Sequence, residues 1–367
     1  MRWSIKLARI AGIDVRIHLT FLVLLLWIAW TQYSATGSLR AAMGGLVALL
    51  LVFGSVLLHE YGHALVARRY GIPTKDITLL PIGGVAQLER MPEDPRGELA
   101  VSIAGPAVNA VLAAIFYGLI VVLGHVDMPA HPLLPGASLL GQLVWINVTL
   151  AVFNLIPAFP MDGGRVLRAL LALRMGHAQA TQIAATLGQG FALLAGIAGL
   201  FWNPVLIFVA LFVWLGASEE AKTTMLTVAM EGIPVQFAMV RKVRSVEPED
   251  PLGAAVEHIL GGFQQDLPVV KRGRVVGVLT RTDIMRGLSE HGATAPVQTV
   301  MSTEFETAHP GEMLDVVHRR MQGCGCTSMP VVLYDGRIVG MLTMDSIGEL
   351  LLVRAALRDH EAGRLPR

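Results

Sequence analysis

Two histidines one helical turn apart flank a glutamate in the run His59-Glu60-Tyr61-Gly62-His63. On a helix, residues i and i+4 share a face, so both imidazoles can bind one metal ion. Glu60 is then placed to polarise a water at that metal. Zinc lowers the pKa of such a water from near 16 to about 7, giving a hydroxide nucleophile at neutral pH. Glu60 can take its proton and pass it to a leaving amine. The pattern also arises by chance on soluble helices. Here it ends an apolar run, Gly44 to Leu58. An ionisable side chain there costs about 2.5–3.5 kcal/mol on insertion scales if at the helix centre. Three such groups within one short stretch argue for a metal over an interfacial cluster.

A catalytic zinc takes three protein ligands and keeps one position open. Asp162 is the candidate third ligand, in the stretch that holds Asn154, Pro157, Pro160, Asp162 and Arg165. The prolines unwind or kink the backbone, which at membrane depth is tolerated only where it is protein-buried or lines a wet cavity. Asp162 before Gly163-Gly164 also fits a helix N-cap at a loop edge. The two histidines tip the choice to ligation.

The elements that must position these groups are read from composition. Of 367 residues, 53% are apolar and 16% are charged, against about 25% charged in soluble domains. With a mean hydropathy of +0.57, this points to a membrane protein. A net charge of +1, from 29 basic and 28 acidic residues, gives no pull toward nucleic acid. A membrane-spanning helix needs about 20 apolar residues. Six runs are candidates: Leu19 to Gln32, Ala41 to Ala67, Leu99 to Leu123, Leu139 to Ala158, Ile183 to Trp202, and Val205 to Ala217. Asn203-Pro204 separates the last two as a tight turn.

Loop charges set the orientation. Arg2, Lys6, Arg9 and Arg16 precede the first run, Arg68, Arg69, Lys75, Arg90 and Arg96 follow the second, and Arg165, Arg168 and Arg174 follow the fourth. The alternate loops carry Arg40 alone, with no Lys or Arg from His125 to Gln142. Basic loops face the cytoplasm, which places both termini there in a multi-pass cell-membrane protein. The charged, amphipathic start lacks a small-residue cleavage site and reads as leading into a retained helix. The histidine pair and the Asn154 to Asp162 stretch then lie at the same cytoplasmic side, where they can meet.

From about Thr223 the chain becomes charged and turn-rich. Leu267-Pro268-Val269-Val270 through Thr280 is echoed by Met329-Pro330-Val331-Val332 through Thr343. Each copy follows a helical pattern and has a Gly-marked hairpin turn, which gives a repeated helix-strand-turn-strand-helix unit. The expected domains are residues 1–222 in the membrane, then repeats at 223–290 and 291–367, packed as one small cytoplasmic α/β domain. Cys324 and Cys326 have no second cysteine pair to complete a metal site, so they read as reduced structural thiols.

The membrane half resembles the site-2 protease family of intramembrane zinc metalloproteases. The resemblance rests on His59-Glu60-x-x-His63, on Asn154-x-x-Pro157-x-x-Pro160-x-Asp162-Gly163, and on Ala104-Gly105-Pro106-Ala107-Val108-Asn109, and covers about Leu39 to Arg174. It implies zinc held by His59, His63 and Asp162, with Glu60 as general base. By position it places Asn154 near the active site, steadying the tetrahedral intermediate; an interhelical hydrogen bond is the other reading. Gly105 and Asn109 share a helix face and read first as close helix packing, as do Tyr61-Gly62. Ile77 to Leu88 forms a short strand pair around Gly83-Gly84, which the resemblance implies is a membrane-associated β-hairpin. Its edge could take a substrate strand by β-addition, or the pair could simply connect two helices.

The second half, from roughly Val240 to Leu352, resembles tandem CBS modules. The resemblance implies an adenine nucleotide such as ATP at Thr280 and Asp283, in Thr280-Arg281-Thr282-Asp283. The second copy departs, with its acid at Asp345 in Thr343-Met344-Asp345-Ser346. Both pairs also suit ordinary helix caps. The expected protein is therefore a polytopic α-helical membrane domain of about six helices with a short membrane-associated β-hairpin, plus an α/β tandem CBS domain. Its expected activity is zinc-dependent cleavage of a transmembrane protein or membrane-tethered regulator in or near the bilayer. Nucleotide at the CBS pair would modulate that activity, and the CBS domains would pair in a homodimer. The rival readings are a CBS-regulated transporter or channel and a non-catalytic scaffold. Against the first stands the lack of a repeated charged pathway; against the second, Glu60, which ligation alone does not require.

Overall fold

The computed structural model describes residues 3–81, 83–88, 91, 92, 94–124, 138–262 and 264–361. Arg2, Arg90 and the stretch 125–137, which enter the loop-charge argument, lie outside these residues. The chain divides into two compact units, Met1–Thr224 and Met225–Arg367.

The first unit opens with two strands, β1 (Ser4–Ile10) and β2 (Ile13–His18), where the sequence reads as an amphipathic lead-in. Ala11 and Gly12 have φ of 52° and 87°, the left-handed pair that suits a two-residue hairpin turn. Lys6 and Arg9 both pair with Asp14 across the hairpin, so the charges that suggested a membrane lead-in serve cross-strand pairing. β2 runs directly into α1 (Leu19–Thr36), whose first turn is capped by the His18 side chain.

Ser38 then caps α2 (Leu39–Arg69), which carries the His59 to His63 run unbroken. It is followed by β3 (Thr74–Leu80) and β4 (Gly83–Leu88). The four strands form one sheet in the order β1-β2-β3-β4, with β2 and β3 parallel and the other neighbours antiparallel. β4 is an edge strand. The sheet is tied to α2 by the Tyr61 hydroxyl, which donates to the Ile10 carbonyl at 3.1 Å.

Asp94 caps α3 (Pro95–Val122), which contains Pro106, and Ser138 caps α4 (Leu139–Asn154). The fourth apolar run therefore stops at Asn154 and not at Ala158. Pro157 lacks the N–H that a continuing helix needs. Beyond the loop come α5 (Asp162–Ala172), α6 (His177–Phe201) and α7 (Val205–Met230). α1, α2, α3 and α6 are long and apolar enough to cross a membrane. α4 is apolar but has only 16 residues. α7 runs past the expected end at Ala217 and takes in Glu219, Glu220 and Lys222.

The close packing expected at Gly62 is found. A Cβ there would lie 2.8 Å from the Ala104 carbonyl oxygen on α3. α5 is held by a buried ionic cluster: Arg168 pairs with Glu98 of α3 at 2.5 Å and with Glu220 of α7. Its guanidinium also lies 5.2 Å over the Phe159 ring.

The second unit contains the expected repeat. One copy is α8 (Leu252–Leu260), β5 (Leu267–Lys271), β6 (Arg274–Leu279) and α9 (Arg281–His291). The other is α10 (Leu314–Cys324), β7 (Ser328–Val332), β8 (Ile338–Thr343) and α11 (Met344–Glu361). The hydrophobic cores cross over. Met230, Ile233, Val235 and Ala238, ahead of the first copy, are buried with Leu314, Met321, Met329 and Leu342 of the second. Val297, ahead of the second copy, is buried with Leu252, Leu267 and Leu279 of the first. Asp266 also bridges the copies, accepting from Thr327 at 2.7 Å and Ser328 at 2.6 Å. The expectation of reduced thiols is corrected: Cys324 and Cys326 form a disulfide. Gly325 between them turns the chain in the left-handed region at φ 67° and brings the two Cα atoms to 5.3 Å, within bonding range.

Candidate metal centre

Among the described residues, His59, His63 and Asp162 form a cluster able to hold a metal ion. His59 and His63 come from one face of α2, as their spacing requires, and their Nε2 atoms lie 3.1 Å apart. Asp162, 99 positions further along, brings Oδ2 to 3.2 Å from His59 Nε2 and 3.1 Å from His63 Nε2. Asp162 is the first residue of α5, and Met161 occupies the N-cap position. The N-cap alternative for Asp162 is therefore replaced by a side chain aimed at the imidazoles.

Two glycines make that placement possible. A Cβ at Gly163 would lie 2.2 Å from the Ile156 carbonyl oxygen, and one at Gly164 would lie 2.6 Å from the Phe159 nitrogen. The Leu155 to Phe159 loop thus folds directly onto the first turn of α5, which only glycine at these positions allows. The Gly-Gly pair, read in the sequence as turn chemistry, works here inside a helix.

The other ring nitrogen of each histidine is also engaged. His63 Nδ1 donates to the Val101 carbonyl at 2.7 Å. His59 Nδ1 lies 2.5 Å from Asn109 Oδ1. Asn109 donates in turn to Asn147 Oδ1 at 2.9 Å, and Asn147 donates to Ser55 Oγ at 3.1 Å. The sequence reading of Asn109 as a helix-packing residue is thus incomplete, and Asn147 and Ser55 were not singled out at all. Their signal was available: polar side chains inside apolar helices are costly unless they find partners.

Gly105 faces the Nε2 atoms of His59 and His63 from α3. A Cβ at this position would stand 2.2 Å from His63 Nε2 and 2.6 Å from His59 Nε2. Glycine therefore leaves open the space toward which both nitrogens point.

A cavity of about 710 Å³ adjoins the cluster, lined by Glu60, Asn154, Pro160, Arg165 and Phe212 as well as by the three ligand candidates. The β4 residues Gly83, Gly84, Val85 and Ala86 form another part of its wall. The structure thus brings Glu60 and Asn154 to the same cavity as His59, His63 and Asp162.

Thr280 and Asp283 sit elsewhere, in the second unit, where they form a reciprocal capping box at the start of α9. Thr280 Oγ1 lies 2.6 Å from Asp283 Oδ2, and Arg286 pairs with the other carboxylate oxygen. In the second repeat, Thr343 and Ser346 exchange the equivalent backbone contacts. The position matching Asp283 is therefore Ser346, and the second copy has no carboxylate there.

Comparison with known proteins gives matches to both units. Residues 47–134 and 134–196 match the model of peptidase family M50, and residues 235–290 and 297–352 each match the CBS domain. A zinc metalloprotease of Methanocaldococcus jannaschii is 36% identical over 280 residues, covering 76% of this chain and 78% of its own. A Mycobacterium tuberculosis relative is 30% identical over 380 residues, covering 96% of this chain and 93% of its own. The solved site-2 protease from Methanocaldococcus jannaschii is 40% identical, covers 60% of this chain and 95% of its own, and superposes with a TM-score of 0.44.

Proposed function

The chain belongs to peptidase family M50, the site-2 protease family of zinc metalloproteases, and carries a tandem CBS domain; from this premise we propose that it is an intramembrane endopeptidase. Its substrate is a membrane protein or membrane-tethered regulator, cut in or near its transmembrane segment. The protein lies in the cell membrane with six spans and with both termini and the CBS pair in the cytoplasm. An adenine nucleotide at Thr280 and Asp283 modulates cleavage.

One observation carries the reading. Two imidazole nitrogens and one carboxylate oxygen converge within 3.2 Å of one another, and Gly105 leaves the space beside them open. With both Nδ1 atoms donating elsewhere, the rings when neutral bring only lone pairs to this point, and a cation between them would relieve the repulsion. Tetrahedral ligands at about 2.0–2.1 Å from zinc stand about 3.3 Å apart, which suits this donor set. His59, His63 and Asp162 would hold the zinc, with a site still accessible from the cavity.

When bound, zinc supplies Lewis-acid chemistry that brings the pKa of water toward neutrality. Glu60 takes the proton as the water oxygen adds to the scissile carbonyl carbon. It then delivers that proton to the departing nitrogen as the C–N bond breaks, leaving a carboxylate and an amine. Asn154, on the same cavity, steadies the oxygen that gains charge during the addition.

A helical substrate hides its amides in i to i−4 hydrogen bonds and must be unwound before it can be cut. The open edge of β4 supports β-addition of the unwound strand, because Gly84 passes directly beside Glu60. In this reading the β3–β4 hairpin is membrane-associated.

The test is cleavage of a membrane-embedded reporter helix by the purified protein beside Glu60→Gln, with zinc assayed in both. The expected result is about one zinc in each and cleavage by the parent alone. If neither protein holds zinc after zinc is added back, the protease reading falls and the transporter or scaffold reading takes its place.

A further inference from the structure

The hydrogen-bond chain behind His59 has a direction, and that direction is set by backbone carbonyls. Ser55 Oγ donates to the Leu51 carbonyl oxygen at 3.3 Å. A carbonyl can only accept, so the Ser55 hydroxyl proton is committed and its oxygen is left to accept. Asn147 Nδ2 supplies that donor at 3.1 Å and also donates to the Leu143 carbonyl at 2.9 Å. Both contacts require nitrogen and not oxygen on that side of the Asn147 amide. Asn147 Oδ1 therefore faces Asn109 and accepts from Asn109 Nδ2. Asn109 Oδ1 is thereby turned toward His59, 2.5 Å from Nδ1. An oxygen at this place can only accept, so Nδ1 carries a proton, and in the neutral ring Nε2 keeps its lone pair for the metal.

Every member of the chain is shielded from water. Asn109 and Asn147 are 0% exposed and Ser55 is 3% exposed, so no solvent molecule substitutes for a missing partner. The chain crosses three helices, starting from Ser55 and His59 on α2, through Asn147 on α4 to Asn109 on α3. His63 reaches the same tautomer in one step through the Val101 carbonyl. Among the described residues His59 has no backbone carbonyl in that role, and the two asparagines orient a side-chain carbonyl oxygen toward it.

We propose that Asn109 and Asn147, anchored by Ser55, are positioning residues that fix the proton of His59 on Nδ1 and so set its affinity for the metal. The proposal rests on the zinc-protease reading above. Groups that orient a ligating histidine change metal affinity by about 10–100-fold when removed. The relay makes an ordered set of effects. Asn109→Leu removes the acceptor itself. Asn147→Leu leaves Asn109 free to turn its amide nitrogen toward His59, which competes with Nδ1–H. Ser55→Ala leaves the Leu143 carbonyl still orienting Asn147. Asn109→Asp keeps an acceptor facing Nδ1 although it cannot donate to Asn147.

The experiment is zinc competition against a chromogenic chelator on the full-length protein in detergent, with thermal unfolding followed on the same samples. Asn109→Leu is expected to weaken zinc binding about 10–100-fold. Asn147→Leu should weaken it about tenfold, at the low end of that range, Ser55→Ala by less than this, and Asn109→Asp least. A purely packing role would lower thermal stability in Asn109→Asp and Asn109→Leu alike without this split in zinc affinity. If Asn109→Leu and Asn147→Leu hold zinc within twofold of the parent, the relay is overturned while the protease reading stands. If the parent holds no zinc, both fall. Should Asn109→Leu fail to fold, Asn147→Leu and Ser55→Ala decide the matter by the same comparison.

Discussion

Gly84 on the edge strand β4 lies against the side chain of Glu60, so closely that a Cβ at position 84 would stand 2.7 Å from Glu60 Cγ and 3.3 Å from Oε1. The proposed general base is thus fenced on one side by the strand along which a substrate is proposed to lie. Gly84→Ala is expected to push the carboxylate aside and to lower kcat about 100-fold, as a misplacement of about 1 Å can do. Zinc content should stay near one. Reporter cleavage with zinc assay checks this, and an unchanged kcat would detach Gly84 from the site.

Gly105→Ala addresses the side of the histidine pair that faces α3. Within helix α3 alanine is favoured over glycine by roughly 0.5–1 kcal/mol, so the helix itself has no reason to suffer. The added carbon nevertheless falls 2.2 Å from His63 Nε2. The expected outcome is zinc well below stoichiometric, with helical circular dichroism retained. Full zinc occupancy in Gly105→Ala would show that the ligands face another space.

Much of the site was legible because its information is local. The two histidines are placed by helix periodicity alone, and their position at the end of an apolar run gives their polarity meaning. Asp162 could be suspected from its prolines and glycines, although its place as the first residue of α5 could not. Asn147 was illegible for a different reason: its partners Asn109 and Ser55 lie 38 and 92 positions away, and no local pattern connects them. β1 and β2 were missed because Lys6, Arg9 and Asp14 look like solvated charges until the turn at Ala11-Gly12 brings them face to face. In the second unit the repeat was plain in sequence. The exchange of leading segments between its cores was not, since a repeat shows what is alike and not what touches what.

Arg168 lies between two carboxylates in a setting where it is 3% exposed and Glu98 is 1% exposed. Removing one partner of a buried pair leaves the other charge uncompensated, at a cost of about 3–5 kcal/mol. Arg168→Met should lose about that much stability in denaturant unfolding in micelles. The double variant with Glu98→Gln should recover much of it, because the amide has no charge to strand. Because Arg168 also lies over Phe159 in the loop before Asp162, the single variant is expected to lose zinc as well.

At the CBS pair, the asymmetry between Asp283 and Ser346 gives a direct test. Calorimetric titration of the full-length protein with AMP is expected to show one site per chain. Asp283→Ala should abolish the heat, and Ser346→Ala should preserve it. Asp283→Ala also removes half of a capping box, worth about 0.5–2 kcal/mol, so its folding must be verified by thermal unfolding. Binding that survives in Asp283→Ala would return the residue to a purely capping role.

His318, on α10, is held below its ordinary value of 6.5 by partial burial and by the neighbouring Arg319. Its protonation therefore costs more in the folded state than in the unfolded one. Its contribution to stability is complete above about pH 6.5 and declines as the pH falls through that value toward the lower folded pKa. His318→Gln should flatten the dependence of the unfolding midpoint on pH in this window. An equal slope in both proteins would remove His318 from the account.

The crossing of the two cores in the second unit makes the gene's linear order a poor guide to where this protein may be cut. A chain ending after His291 would keep the whole of the first repeat as written, yet Met230, Ile233 and Val235 would lose the residues that bury them. The first repeat would in turn lose Val297 from its own interior. Neither half is a spare part: a deletion drawn at the repeat boundary leaves two damaged halves, and a swap between relatives keeps its interior only if Met230 through Leu351 travels as one piece.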